Sequence, residues 1–330
     1  MKGVGRRLLN SARLRIGLGK GEEVIEDKSF KQSVEYARGK FTGMDCGIYD
    51  ERGTSLSVIG LERSVTGVYV LPSAVTGVFL NREAIAKSGI KVLSLENCSN
   101  LRKFEIQNPT NPMVESPLWE LTIVLPKEAP CLSKVAVNLI CHKFRLIGEC
   151  NGIDLSLYLC SELEINKSVM DNAKSLYFSS CSGIARICLP ETNIADSVYL
   201  VNTATEHLSC HLRSNGLGIT NCCKLKVMSV WFERLDAHLF SGYMRRRIVS
   251  LEEIHIKVSR LFFSEICLSH ERVIDFSYVS RVLKTISFTT ADCFRASNFD
   301  FDKKYTLIIP SKADFTMSEE LEPYFKVVRK

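Results

Sequence analysis

Six apolar positions recur at one spacing in three separate parts of this 330-residue chain, and in each the third position is cysteine. They are Leu176, Phe178, Cys181, Ile184, Ile187 and Leu189; then Leu93, Leu95, Cys98, Leu101, Phe104 and Ile106; then Leu217, Ile219, Cys222, Leu225, Met228 and Val230. A unit this short cannot enclose its own apolar face. It must stack on a neighbour of the same kind, and stacked neighbours then share one continuous core.

Short apolar alternations run through the same regions. They are Val68-Tyr69-Val70, Leu93-Ser94-Leu95, Leu121-Thr122-Ile123, Val135-Ala136-Val137, Leu157-Tyr158-Leu159, Leu176-Tyr177-Phe178, Val198-Tyr199-Leu200 and Leu217-Gly218-Ile219. Period-two alternation marks strands with one face in the core and the other outside. The last four triplets begin 19, 22 and 19 residues apart. Two stretches break the pattern. Gln107 to Pro117 is proline-rich and reads as a loop, and Trp231 to Arg247 reads as a more helical insertion. Looser triplets resume at Ile254-His255-Ile256 and continue to Leu307-Ile308-Ile309. Ser29 to Arg38 reads as a helix ending near Gly39, suited to capping the first repeat. The expected organisation is a basic leader and helical cap over 1–45. A repeat region fills 46–330, with irregular insertions near 107–117 and 231–247.

The balance of 43 basic against 37 acidic residues leaves a net charge of +6. No concentrated basic stripe appears in the sequence outside the N-terminus, so nucleic acid is not expected as a partner. The 13 cysteines sit mostly inside apolar runs, where the thiol is a small hydrophobe. The first twenty residues lack an apolar h-region, and no apolar run reaches the roughly 18 residues of a membrane span. Together these imply free thiols in a reducing, cytoplasmic setting. Lys2, Arg6, Arg7, Arg13, Arg15 and Lys20 all precede the first acid, Glu22. Residues 1–20 thus read as a basic segment for a membrane surface, as a targeting or secretion leader, or as a frayed terminus.

Ile90, Leu93, Leu95, Cys98 and Leu101 follow the spacing LxxLxLxx[N/C]xxL, which resembles the leucine-rich repeat family. Cys98-x-x-Leu101-x-x-Phe104-x-Ile106 and Cys181-x-x-Ile184-x-x-Ile187-x-Leu189-Pro190 resemble its bacterial BspA-type variety, CxxLxxIxIP. The resemblance implies a repeat solenoid, with parallel strands on a concave face and loops and short helices on the convex face. It also implies that the cysteine bonds to backbone in the bend after each strand. Two departures stand out: the asparagine position is mostly cysteine or unmatched, and repeat lengths vary, which would suit two strands in some turns.

In each triplet the middle residue points away from the core. Tyr69, Tyr158, Tyr177, Tyr199 and Ser94 occupy that slot and are the candidate contacts for a protein or peptide on the concave face. The competing explanation is that tyrosine is simply a good strand residue. Chemistry is poorly represented. Glu206, His207, Cys210 and His211 form one cluster, without the second ligand pair zinc requires. Gly17, Gly19, Lys20 and Gly21 lack the phosphate-loop spacing. No cysteine precedes an aspartate by two positions, as the ligase domains of some bacterial leucine-rich repeat proteins require. No catalytic residue, metal or cofactor is expected. The expected function is a non-enzymatic protein-interaction scaffold, which the resemblance extends to a bacterial effector delivered into a host cell. The alternatives are a membrane-surface protein anchored by its basic N-terminus and a solenoid enzyme acting on polysaccharide, which would need clustered exposed carboxylates.

Overall fold

Strands dominate, as the alternation predicts, and most pair in parallel. The computed structural model of the protein describes residues 67–71, 73, 75–107, 117–128, 130–237, 248–263, 272–297 and 304–330, with the backbone of four short strands before them. Those four are Arg15–Leu18, which pairs antiparallel with Gly21–Val24, and Gly47–Tyr49, which pairs antiparallel with Ser55–Ser57 and Gly77–Asn81. The expected cap helix, the proline-rich loop over 108–116 and the basic residues before Arg15 lie outside the described residues. Among the described residues no helix is long and apolar enough to cross a membrane. The chain divides into two units, Met1–Asn172 and Ala173–Lys330.

In the first unit, Gly77–Asn81, Lys103–Gln107, the first half of Lys134–Ile147 and Ile153–Tyr158 form one parallel ladder. Val68–Val70, Val92–Ser94, Leu118–Val124, the second half of Lys134–Ile147 and Glu162–Ile165 form another. The long strand serves both by changing ladders after Ile140. Helix Arg82–Ser88 starts where the Asn81 side chain accepts from the Ala84 N–H at 2.7 Å, and stops at Gly89, whose φ of 68° needs no Cβ.

In the second unit, Ala173–Ser179, Ser197–Val201 and Leu217–Thr220 form one parallel ladder. Its register pairs Leu176 with Val198 and Val198 with Leu217, so the spacings of 22 and 19 residues read from the sequence are true repeat lengths. Arg186–Cys188, His207–Leu212, Val227–Asp236, Glu253–Phe262, Thr285–Ser297 and Asp314–Met317 form a second. Val273–Asp275, Tyr305–Ile309 and Phe325–Arg329 form a third. A second set of strands thus stands where the resemblance implied loops and short helices. Of the helical insertion expected over Trp231 to Arg247, the first part is corrected: Trp231 to Asp236 continues a strand, because Met228, Val230 and Phe232 keep filling the core at period two, and residues 238–247 lie outside the described residues.

All three copies of the six-position pattern are core, no position being more than 7% exposed. Truncating a fully buried phenylalanine such as Phe104 or Phe178 to alanine costs about 3–5 kcal/mol. The bend before each cysteine also repeats. In the second unit Ser180, Asn202 and Asn221 take left-handed φ values of 54°, 52° and 54°, and Leu159 takes 57° in the first. The residue after each is Cys181, Thr203, Cys222 or Cys160, and its side chain bonds to backbone or to its neighbour. Cys160 Sγ donates to Glu162 O at 3.2 Å, Cys222 Sγ to Leu200 O at 3.5 Å, and Thr203 Oγ1 meets Cys222 Sγ at 3.3 Å. The thiols here thus donate to backbone carbonyls beside each bend, and Thr203 takes the cysteine's place with a hydroxyl that meets the next thiol.

Candidate functional site

The tyrosines proposed as one surface do not share one environment. Tyr69 is a correction: it is 2% exposed, and its hydroxyl donates to Ser88 O at 3.0 Å. Its short strand pairs with Val92–Ser94, where Tyr69 stands opposite the buried Leu93, so in this triplet the tyrosine faces inward. Ser94 is likewise buried, its hydroxyl accepting from the Glu96 N–H at 3.4 Å. Tyr158 is half-buried at the end of its strand, opposite Ile140.

Tyr177 and Tyr199 behave as the alternation predicts. They are Cα partners on adjacent strands, their ring centroids 6.2 Å apart and tilted by 40°. Tyr199 is 37% exposed. Its Cα partner on the next strand is Gly218, and a Cβ there would stand 2.3 Å from Tyr199 Cδ1, so the ring lies across the glycine backbone. Absence of a side chain at Gly218 sets the pose of Tyr199.

A denser arrangement lies on the outward side of the second ladder of the same unit. Two rows run across its strands in register: Ser209, Ser229, His255 and Ser287, then His211, Trp231, Lys257 and Thr289. The His211 and Trp231 rings stack with centroids 3.9 Å apart and planes within 6°. Lys257 Nζ lies 4.0 Å from the centroid of the Trp231 ring. The Trp231 Nε1–H donates to Ser259 Oγ at 2.8 Å, and Ser259 in turn donates to Glu233 Oε1 at 3.4 Å. His211 Nδ1 is 2.6 Å from Glu191 O and its Nε2 is 2.8 Å from Glu233 Oε1. Both partners are hydrogen-bond acceptors. Glu191, His211, Trp231 and Lys257 border a groove of about 220 Å³ that also takes in Ser209, Ser229, His255 and Thr289.

Sequence reasoning missed this row. It met His211 only as a metal candidate and assigned Trp231 to a helix. Neighbouring strands carry an outward residue two places after a serine or histidine (Ser209/His211, Ser229/Trp231, His255/Lys257), and that shared offset was the available signal. The suspected metal cluster does not converge. Cys210 is 4% exposed in the core, His211 stands on the opposite face, and Glu206 reaches Lys226 Nζ at 3.5 Å. Among the described residues no three His, Cys, Asp or Glu side chains are placed to hold a metal ion. Burial pushes the Cys98, Cys141 and Cys210 thiols up to about 12 and Cys150 to about 11, away from the thiolate a nucleophile needs.

No family model matches the sequence, and no curated protein matches it. Among solved structures the chain is similar to a leucine-rich repeat protein from Bacteroides ovatus. Identity is 14%, over 88% of this chain and 100% of that one, with a TM-score of 0.21. A superposition that loose carries no argument about this chain, whose fold and chemistry rest on the strands and side chains described above.

Proposed function

We propose that the chain is a leucine-rich-repeat-like solenoid serving as a non-enzymatic scaffold that binds a protein or peptide on the outward faces of its parallel ladders. The observation that carries the reading is the Tyr177–Tyr199 pair. Two aromatic rings stand side by side on the solvent side of adjacent strands, and a glycine opens the space for one of them. Tyrosine combines large rigid area with a hydroxyl, the property that concentrates binding energy at interfaces. Burial, which pushes the Cys98 thiol up to about 12, suits a core role for that cysteine rather than a nucleophile.

The test is affinity capture with wild type and with the Tyr177→Ser/Tyr199→Ser double variant. The variant should melt within a few degrees of wild type, because neither ring is core, and should lose the proteins that wild type retains. Retention of the same proteins at the same yield would make the pair a strand-propensity feature and refute the proposal.

A further inference from the structure

Arg234, Arg260 and Arg295 are far apart in sequence, yet they are Cα partners on three adjacent parallel strands of the second unit: Arg234 with Arg260, and Arg260 with Arg295. All three are exposed. Adjacent strands lie about 4.8 Å apart, so the three Cα atoms fall within about 10 Å.

Several other rows of these ladders alternate in charge, although Lys103 stands opposite Lys134 in the first unit. Glu120, Lys143 and Glu162 share one register row, with Lys143 Nζ 2.8 Å from Glu162, and Arg145 stands opposite Glu164 at 2.5 Å. In the second unit Lys226 meets Glu206 and Lys284 meets Glu252. Like charges placed directly opposite destabilise a sheet, and only the arginine row has them in succession among the described residues. None of the three guanidiniums is ion-paired to a carboxylate among the described residues. Arg234 instead lies 4.4 Å over the Phe262 ring. Lys257, three residues before Arg260, rests on Trp231 and is likewise without a carboxylate there, which extends the positive strip.

A register shift creates the row. Val258 pairs with Thr290, and an unbroken ladder would next set Asp292 opposite Arg260. The ladder is broken between Val258 and Arg260, three extra residues are accommodated, and Arg295 arrives instead. Such irregularities re-aim side chains and concentrate where a surface is used. Here a ready Arg–Asp pair gives way to a third arginine.

We infer that the Arg234–Arg260–Arg295 row docks an acidic segment of a protein partner. The inference rests on the recognition reading above and supplies the partner's chemistry. Charge complementarity sets the sign, and length sets the class. An extended peptide presents same-face side chains every 6.6–6.8 Å or so. Two or three carboxylates in alternate positions therefore span about the 10 Å of the row. Single-stranded nucleic acid needs bare aromatic faces for stacking. Arg234 lies over the Phe262 ring, and Trp231 is held by His211 and Lys257.

The test is fluorescence anisotropy of the full chain with a labelled seven-residue peptide of alternating Asp and Ser, and with its Asn–Ser counterpart. Wild type is compared with Arg234→Gln/Arg260→Gln/Arg295→Gln. A control of equal charge change, Arg102→Gln/Arg186→Gln/Lys326→Gln, is spread over exposed positions. Wild type and control should bind the acidic peptide alike and more weakly as salt rises, the Asn peptide should not bind, and the row variant should bind at least about tenfold more weakly. Should the triple variant fail to fold, Arg260→Gln alone should weaken binding about twofold to fivefold. Equal loss in row variant and control would reduce the effect to bulk charge and overturn the inference. So would tighter, row-dependent binding of a ten-nucleotide oligo-dT or of phosphatidylcholine vesicles containing phosphatidylserine. The Tyr177→Ser/Tyr199→Ser variant should keep full peptide affinity, so failure of the tyrosine surface and failure of the arginine row give different results.

Discussion

Replacing Trp231 tests whether the stacked row on the second ladder holds that face together. Three contributions end with the indole. Stacking on His211 at 3.9 Å is worth about 1 kcal/mol beyond burial. The Lys257 ammonium at 4.0 Å adds about 0.5–1 kcal/mol. The Nε1–H donated to Ser259 at 2.8 Å adds about 1 kcal/mol, and losing it deprives a hydroxyl in a residue 1% exposed of a donor. Trp231→Ala should therefore cost about 3 kcal/mol, and Trp231→Phe, which keeps a ring in the stack, about 1 kcal/mol. Urea unfolding followed by far-UV circular dichroism measures both. His211→Ala completes a double-mutant cycle, in which the pair should couple by about 1 kcal/mol, since contacting residues are not additive. The reasoning fails if Trp231→Ala costs less than about 1 kcal/mol, or if the two substitutions add to within about 0.3 kcal/mol. Either result would mean that the rings lie together without holding each other.

Thiol reactivity should divide by burial. Cys131, Cys188, Cys223 and Cys293 are exposed and should react with a thiol reagent in the folded protein, whereas Cys98, Cys141, Cys150 and Cys210 should react only after unfolding. Their folded-state pKa values are raised from 9.0 to about 11 or 12, so the unfolded chain gives up these protons first. The stability they contribute is intact below about pH 9 and falls as pH rises toward 12, and a melting series from pH 8 to 11 should slope downward. Leu159 holds a φ of 57° while 44% exposed. Left-handed backbone is costly for leucine and tolerated by asparagine, the residue at the matching bends of Asn202 and Asn221. Leu159→Asn should therefore stabilise the chain by about 0.5–1 kcal/mol in chemical unfolding, and a loss of stability would show that the leucine side chain packs.

What could be read from the sequence was whatever repeats within one strand and its bend. Leu176, Phe178 and Cys181 carry their own periodicity, and because the first ladder of the second unit keeps short, even spacings of 22 and 19 residues, its cross-strand pairs could be read as well. The second ladder has the same alternation but uneven connections. His207, Val227, Glu253, Thr285 and Asp314 are successive register partners separated by 20, 26, 32 and 29 residues, so no fixed period brings them together. Trp231 was misassigned for a related reason: the charges Glu233, Arg234 and Asp236 interrupt the apolar count where the strand leaves the regular ladder. Tyr69 shows the opposite failure. Its triplet is as regular as that of Tyr177, but alternation says only that one face is buried, not which. A neighbouring helix that offers the Ser88 carbonyl decides for the tyrosine side. Neither the stack nor the arginine row can be seen along the chain, because both are properties of register. Arg234, Arg260 and Arg295 are separated by 26 and then 35 residues, and a break of three residues in one strand decides whether Arg260 faces Asp292 or another arginine. A net charge of +6 averaged over 330 residues conceals three like charges within about 10 Å.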